Sequence, residues 1–388
     1  MPILKRDSRT LPRRDLHFVS AGLGLEGGGR ALAGRLLGGA CEDFARRRGM
    51  GFRLLSLDGS GLPDGDVPVQ GFAGDQRAMA VAVWKGQLRE RRTAAYVFDL
   101  LGPARTQAYL PGPLRAPYLI PLYGIEVWRP LEWDRRRALS HARVVFSISR
   151  HTLERAQPYA PVAGAAVLPL ALEERKPEGA VDASLLGRVG KGFLLIVGRM
   201  DPRERYKGHD QLLEALKGVD DVRLVVAGDG DDRERLEHKA RALGIDDRVT
   251  FTGFLSEATI AELYRRCAAF AMPSRGEGFG LVYLEAMRAG KPVLAARGSA
   301  AEEIVVDERT GLLVDPDDRE ELRAALARLV DHPGEARRMG ETGFDRWRKE
   351  FGIEKFRERL EPLLERLVNP HPLAPSPTSL PPAGRGGI

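Results

Sequence analysis

Short apolar runs alternate with longer stretches of helical periodicity along almost the whole chain. In the first half, residues 16–21, 52–57, 94–100, 118–122, 144–148 and 165–170 read as strands, with helical patterning at 30–48 and 134–142 between them. The second half repeats the scheme, with strands predicted at 193–197, 222–227, 249–252, 268–272, 292–296 and 312–314. Runs this uniformly apolar suit strands buried on both faces, and strands alternating with helices imply parallel sheets covered by helices. The α/β chain therefore divides into two Rossmann-like, doubly wound blocks, a first domain over 1–180 and a second over 190–350, with a polar linker at 172–191. Three amphipathic stretches follow, at 319–330, 334–350 and 353–368, the last forming a separate C-terminal helix over 351–368. Residues 369–388 are Pro-rich without apolar periodicity and are expected to be disordered.

Composition narrows the class. With 388 residues, of which 43% are hydrophobic, two cores are the default. No apolar run approaches the roughly eighteen residues of a spanning helix, and the basic start has no apolar stretch after it resembling a signal peptide. Cys41 and Cys267 lie far apart in apolar contexts and read as buried, reduced thiols, so a cytoplasmic protein is expected. The net charge is +6, and the basic excess lies in residues 1–185, with arginine clusters at 46–48, 89–92 and 135–137. Two accounts stay open: solvated helix faces, or attraction to an anionic partner such as an inner membrane surface or a lipid-phosphate acceptor. The clusters lack interleaved aromatics and no nucleic-acid-binding module is recognisable, so nucleic acid is not an expected partner.

The richest chemistry lies in Pro273-Ser274-Arg275-Gly276-Glu277-Gly278-Phe279-Gly280-Leu281, after an apolar run and before a helical pattern that contains Glu285. Glycines let backbone N–H groups approach a ligand, and a helix start adds unpaired donors and partial positive charge, so an anion is expected. Two carboxylates at an anion site need partners of their own, and hydroxyl groups suit them. A nucleotide sugar combines the two. Arg199 follows a predicted strand and Lys207 precedes the next helix, where both can neutralise a diphosphate.

This segment resembles the Glu-x7-Glu motif of retaining glycosyltransferases of family four, which have the two-domain GT-B fold. The likeness extends in order from Phe193 to about Leu367 through Phe193–Arg199 with Lys207-Gly208, Leu224–Gly230, Val249–Phe254 and Gly311–Val314. It implies two Rossmann-like domains facing a cleft, with the last helix crossing back onto the first. It further implies that the second domain binds a UDP- or GDP-sugar and the first a glycan or lipid-linked acceptor in cell-surface polysaccharide or lipopolysaccharide synthesis, with no metal or cofactor. Glu277, Arg199 and Lys207 would be catalytic. Glu285 would hold the ribose hydroxyls, and backbone at Gly278, Phe279, Gly280, Leu281, Gly253 and Phe254 would contact the donor. The loop Gly27-Gly28-Gly29 would face the donor phosphates, and the segment with Tyr123 and Glu126 would line the acceptor side. Tyr123 stands where the family usually has histidine; a phenol donates a hydrogen bond but does not replace an imidazole base.

Three local patterns compete. Asp229-Gly230-Asp231 could chelate a divalent ion, but its flanking glycines favour a turn, with Asp231 or Asp232 capping the next helix. Gly22-Leu23-Gly24-Leu25-Glu26-Gly27 fits a dinucleotide fingerprint with Asp58 as the ribose acid, although Asp58 lies farther along than the roughly twenty residues expected. The segment 147–152 reads as a strand-to-helix turn with a capping serine. The rival functions are a nucleotide-sugar 2-epimerase of the same architecture and a catalytically weakened scaffold that binds a nucleotide sugar.

Overall fold

The computed structural model describes residues 14–24, 28–62, 65, 67–174 and 176–369. The Gly27 and 370–388 readings fall outside these residues. The chain forms two compact units. One takes the described residues through Ile148, then Leu153–Leu168, and the chain again from Arg357; the other takes Ser149–Thr152 and Pro169–Phe356.

The first unit is built on seven strands: β1 (Asp15–Ser20), β2 (Phe52–Ser56), β3 (Val69–Gly71), β4 (Ala94–Phe98), β5 (Tyr118–Leu122), β6 (Val144–Ser147) and β7 (Ala166–Val167). All pairings are parallel and the order is β3-β2-β1-β4-β5-β6-β7. Every residue of β4 and β5 is buried, as their uninterrupted apolar runs require. Pro121 is tolerated inside β5 because the ladder to β4 involves only Tyr118 and Leu119, so its missing N–H costs no bond on that side. The short edge strand β3 has no counterpart in the apolar pattern.

The second unit holds β8 (Leu194–Val197), β9 (Leu224–Ala227), β10 (Val249–Phe251), β11 (Ala269–Met272), β12 (Val293–Ala296) and β13 (Gly311–Val314). These too are all parallel, in the order β10-β9-β8-β11-β12-β13. The strand order reverses between β1 and β4 in one sheet and between β8 and β11 in the other. Loops leaving the carboxyl ends at such a reversal diverge and open the crevice where ligands bind in open α/β sheets.

The passage between units comes at Leu168–Pro169, earlier than the expected linker. Much of that stretch is structured: Asp182 caps the helix Ala183–Val189, and Leu172 N–H donates to Phe351 O at 3.1 Å. The helix Ile353–Val368 carries the chain back into the first unit. There the arginine cluster of the helix Gly28–Arg48 meets it. Arg47 reaches Glu361 at 3.1 Å, Arg48 reaches Glu361 at 2.8 Å and also Glu365, and Arg143 Nε donates to Arg366 O at 2.6 Å. Arg47 and Arg48 are thus occupied by the chain's own carboxylates. No helix among the described residues is long and apolar enough to cross a membrane.

Candidate functional site

Two loops leave the reversal point of the second sheet. One follows β8 and carries Arg199, a 3-10 segment Pro202–Lys207, and Lys207. The other follows β11 and carries Glu277 into the helix Leu281–Arg288. They are laced together. Arg275 N–H donates to Tyr206 O at 3.1 Å, and a Cβ on Gly276 would lie 2.4 Å from the Tyr206 ring. Only glycine permits that approach, and the next residue, Glu277, lies within electrostatic reach of Lys207 on the first loop.

Glu277 is partly exposed, and burial pushes its pKa above the ordinary carboxylate value. Lys207 works against that shift and Glu204 reinforces it. Glu204 is the acid that sequence reasoning missed. Its carboxylate bridges both predicted phosphate-binding cations, at 2.5 Å from Arg199 Nη2 and 2.8 Å from Lys207 Nζ. Those two partners hold its pKa below the ordinary value despite burial. The remaining cations of the loop are also neutralised, Arg203 by Asp201 at 2.7 Å and Arg205 by Asp232 at 2.9 Å. The signal available in the sequence was a glutamate lying between Arg199 and Lys207, in a loop whose other acid is Asp201.

The start of Leu281–Arg288 is held rigidly. Tyr283 Oη donates to Met272 O at 2.9 Å, tying the helix to the end of β11. Ser149 Oγ and Thr152 Oγ1 both donate to Gly278 O, at 2.5 and 3.0 Å. In a trans peptide this turns the Phe279 N–H the opposite way. The N–H groups of Phe279, Leu281 and Val282 find no acceptor among the described residues, as expected of an open helix start. Gly280 sits at φ +98°, and a Cβ there would lie 2.4 Å from the Tyr283 ring. Gly280→Ala is expected to cost about 1–3 kcal/mol of stability from backbone strain, read as a lower melting temperature by calorimetry.

Glu285 is placed by Tyr264, whose Oη donates to Glu285 Oε2 at 2.9 Å. Burial raises the Glu285 pKa, and the Tyr264 bond offsets part of the rise. Gly253 O accepts from Gly228 N–H at 3.2 Å, which sets the Gly253–Phe254 turn at the carboxyl end of β10 with the Phe254 ring exposed. The Asp-x-Asp segment is a turn: Asp229 Oδ1 accepts from its neighbour Gly230 N–H at 2.9 Å. Asp232 stands at the N-cap of Arg233–Leu243 without capping it, because its carboxylate is taken by Arg205 and Arg235. The capping serine is present: Ser149 Oγ accepts from Thr152 N–H at 3.0 Å, and Glu303 adds bonds to Arg150 and His151 N–H at 2.9 and 2.8 Å.

In the first unit, Gly28 is the first residue of Gly28–Arg48. Asp99, at the end of β4, is fully buried; Ser20 Oγ donates to it at 2.5 Å and Ala21 N–H at 3.0 Å, and burial pushes its pKa up to about 7. Tyr123 titrates well above its usual range because of burial, with Asp99, Glu126 and Cys41 adding to the effect. Glu126 Oε1 turns back on its own loop, accepting from Tyr123 N–H at 2.5 Å and Gly124 N–H at 3.2 Å. Asp58 is engaged by Ser56 Oγ and Ser60 N–H of its own loop at 2.7 and 2.9 Å and by Gly24 N–H at 3.4 Å, so its carboxylate ties the two loops together.

The comparisons with known proteins converge. The family profile "Glycosyl transferases group 1" matches residues 182–346, the part that carries both loops. A Mycolicibacterium smegmatis protein named GDP-mannose-dependent alpha-(1-6)-phosphatidylinositol monomannoside mannosyltransferase is 33% identical over 279 residues, spanning 66% of this chain and 71% of the relative. Among solved structures, sucrose-phosphate synthase from Thermosynechococcus elongatus superposes with a TM-score of 0.72 at 20% identity, covering 91% of this chain and 99% of that one. Anabaena HepE in complex with UDP gives 0.70 at 19% identity, covering 91% and 100%. These structural likenesses speak to the fold, which is GT-B. The sequence likeness reaches further, and by it this chain belongs to the group 1 glycosyltransferases.

Proposed function

We propose that the chain moves a hexose from a nucleotide sugar to a glycan or lipid-linked acceptor, with retention of anomeric configuration and without a metal ion. The observation that carries this reading is the coupling of Glu277 to Lys207, which shares Glu204 with Arg199, at the reversal point between β8 and β11. Arg199, Lys207 and the open N–H groups near Phe279 would hold the diphosphate, where charge builds on the departing oxygen. Glu277 would support the sugar as it gains oxocarbenium character. Glu285 would bind ribose hydroxyls, and the exposed Phe254 ring would stack on the base. Gly278, Gly280, Leu281 and Gly253 would contribute backbone contacts. The first unit, with Tyr123 and Glu126, would receive the acceptor. In place of a divalent cation, two side-chain cations would supply the positive charge.

The name of the mycobacterial relative makes GDP-mannose with a phosphatidylinositol mannoside the first pair to test. A ligand specific for the folded state raises the melting temperature. A thermal-shift panel of GDP- and UDP-sugars should therefore single out the donor. Transfer is then followed by NMR of the product anomer, with and without EDTA. A retained configuration and EDTA-insensitive turnover are expected. An inverted product, or donor turnover without any acceptor, would sink the proposal in favour of different chemistry.

Glu204 gives a second prediction. It occupies the two cations that the diphosphate would take, so a bound donor must displace it. Glu204→Gln should tighten nucleoside diphosphate binding several-fold by calorimetry and slow product release. Weaker binding would mean that Glu204 orients the cations rather than competing for them.

A further inference from the structure

The helix Gln76–Glu90 has two unlike sides. Met79, Val83 and Gln87 are buried, while Val81 and Leu88 point outward, with Trp84 between them on the same side. Trp84 does not stand alone. Its ring meets Tyr109 edge-on at 6.4 Å, and Tyr109 meets Trp133 edge-on at 5.2 Å. Tyr109 is 54% and Trp133 61% exposed, so these two rings face water, while Trp84 is partly buried beneath them with its Nε1–H donating to Thr106 O at 2.9 Å. A contiguous exposed apolar patch of this kind marks an interaction surface.

Its charged surround indicates the partner. Arg77, Lys85 and Arg89 lie exposed on the same helix and enter no ion pair among the described residues. Arginines elsewhere on the surface are widely paired, for example Arg53 with Glu90, Arg297 with Glu321 and Arg328 with Glu308. Unpaired cations beside amphipathic rings fit a surface that is negative outside and apolar just beneath. Trp and Tyr settle at the level of lipid headgroups, and Lys and Arg are drawn to anionic leaflets.

We propose that the face formed by Val81, Trp84 and Leu88 with Tyr109 and Trp133 docks on an anionic phospholipid bilayer. This deepens the lipid-linked acceptor reading and rests on it for its purpose, though not for its geometry. The face differs from the arginine cluster at 46–48, of which Arg47 and Arg48 are committed to the C-terminal helix.

The test uses the full chain, co-sedimented with vesicles of phosphatidylcholine alone or mixed with phosphatidylglycerol. Wild type should bind the mixed vesicles and lose them as salt rises, and should ignore phosphatidylcholine alone. Leu88→Glu with Trp133→Ser, and separately Arg77→Gln with Lys85→Gln and Arg89→Gln, should each weaken binding at least tenfold. Their melting temperatures and donor-induced thermal shifts should match wild type, which separates failure of docking from failure of the glycosyltransferase reading. Absence of binding to mixed vesicles, or undiminished binding by both variants, overturns the proposal. So does a wild-type dimer in sedimentation velocity that the apolar variant dissociates, because the face would then join two copies of the chain.

Discussion

Glu277→Gln is expected to lower kcat by about 10²–10³-fold, the cost of removing one well-placed electrostatic group from a reacting centre, while nucleoside diphosphate affinity stays near wild type. The substitution keeps shape and removes charge. The groups proposed to hold the diphosphate lie on the other loop and at the helix start, so they would persist. What would be lost, under the proposed mechanism, is the negative charge facing a sugar that becomes positive in the transition state. The pH profile gives an independent readout. Burial holds the Glu277 pKa above the ordinary carboxylate value. In the proposed mechanism the ionised form is the competent one, so kcat/KM should fall as pH drops through that raised value, earlier than an exposed glutamate would allow. Glu277→Gln should abolish this acid limb. A variant with unchanged kcat and an unchanged acid limb would remove Glu277 from the mechanism.

The parallel sheets were legible because their central strands are buried on both faces and so appear as unbroken apolar runs, as in β4, β5, β11 and β12. The starts of Leu281–Arg288 and His209–Leu216 were legible because glycine precedes each, at positive φ in both cases. The short edge strand β3 was not, since two of its three residues are exposed and polarity no longer alternates with burial. Long-range partners were hidden for a different reason. That Asp232 would spend its carboxylate on Arg205 and Arg235, or that Ser149 and Thr152 would grip Gly278 O, depends on which loops the topology brings together. The grouping of Ser149–Thr152 with the second unit has the same origin. The buried thiols were legible from context: burial raises Cys41, and pushes Cys267 up to about 12.

Lys207→Ala is expected to reduce kcat/KM by about tenfold to a hundredfold, since hydrogen bonds to charged groups are worth about 1.5–3 kcal/mol. Arg199→Ala should cost less. The Lys207 side chain is only 14% exposed, against 55% for Arg199, so water screens the lysine less and a diphosphate would feel it more. Removing Lys207 also strips Glu277 of the cation that lowers its pKa. The acid limb of the pH profile should therefore move to higher pH in Lys207→Ala, an effect that a purely structural lysine would not produce. In the single variant Glu204 loses one of its two cations and remains partly buried beside the proposed phosphate site, where its charge would repel the donor. Combining Lys207→Ala with Glu204→Gln should recover part of the lost donor affinity, and the two changes should be non-additive in a double-mutant cycle. Strict additivity, with no movement of the acid limb, would separate Lys207 from both carboxylates and leave the diphosphate to Arg199 and the helix start.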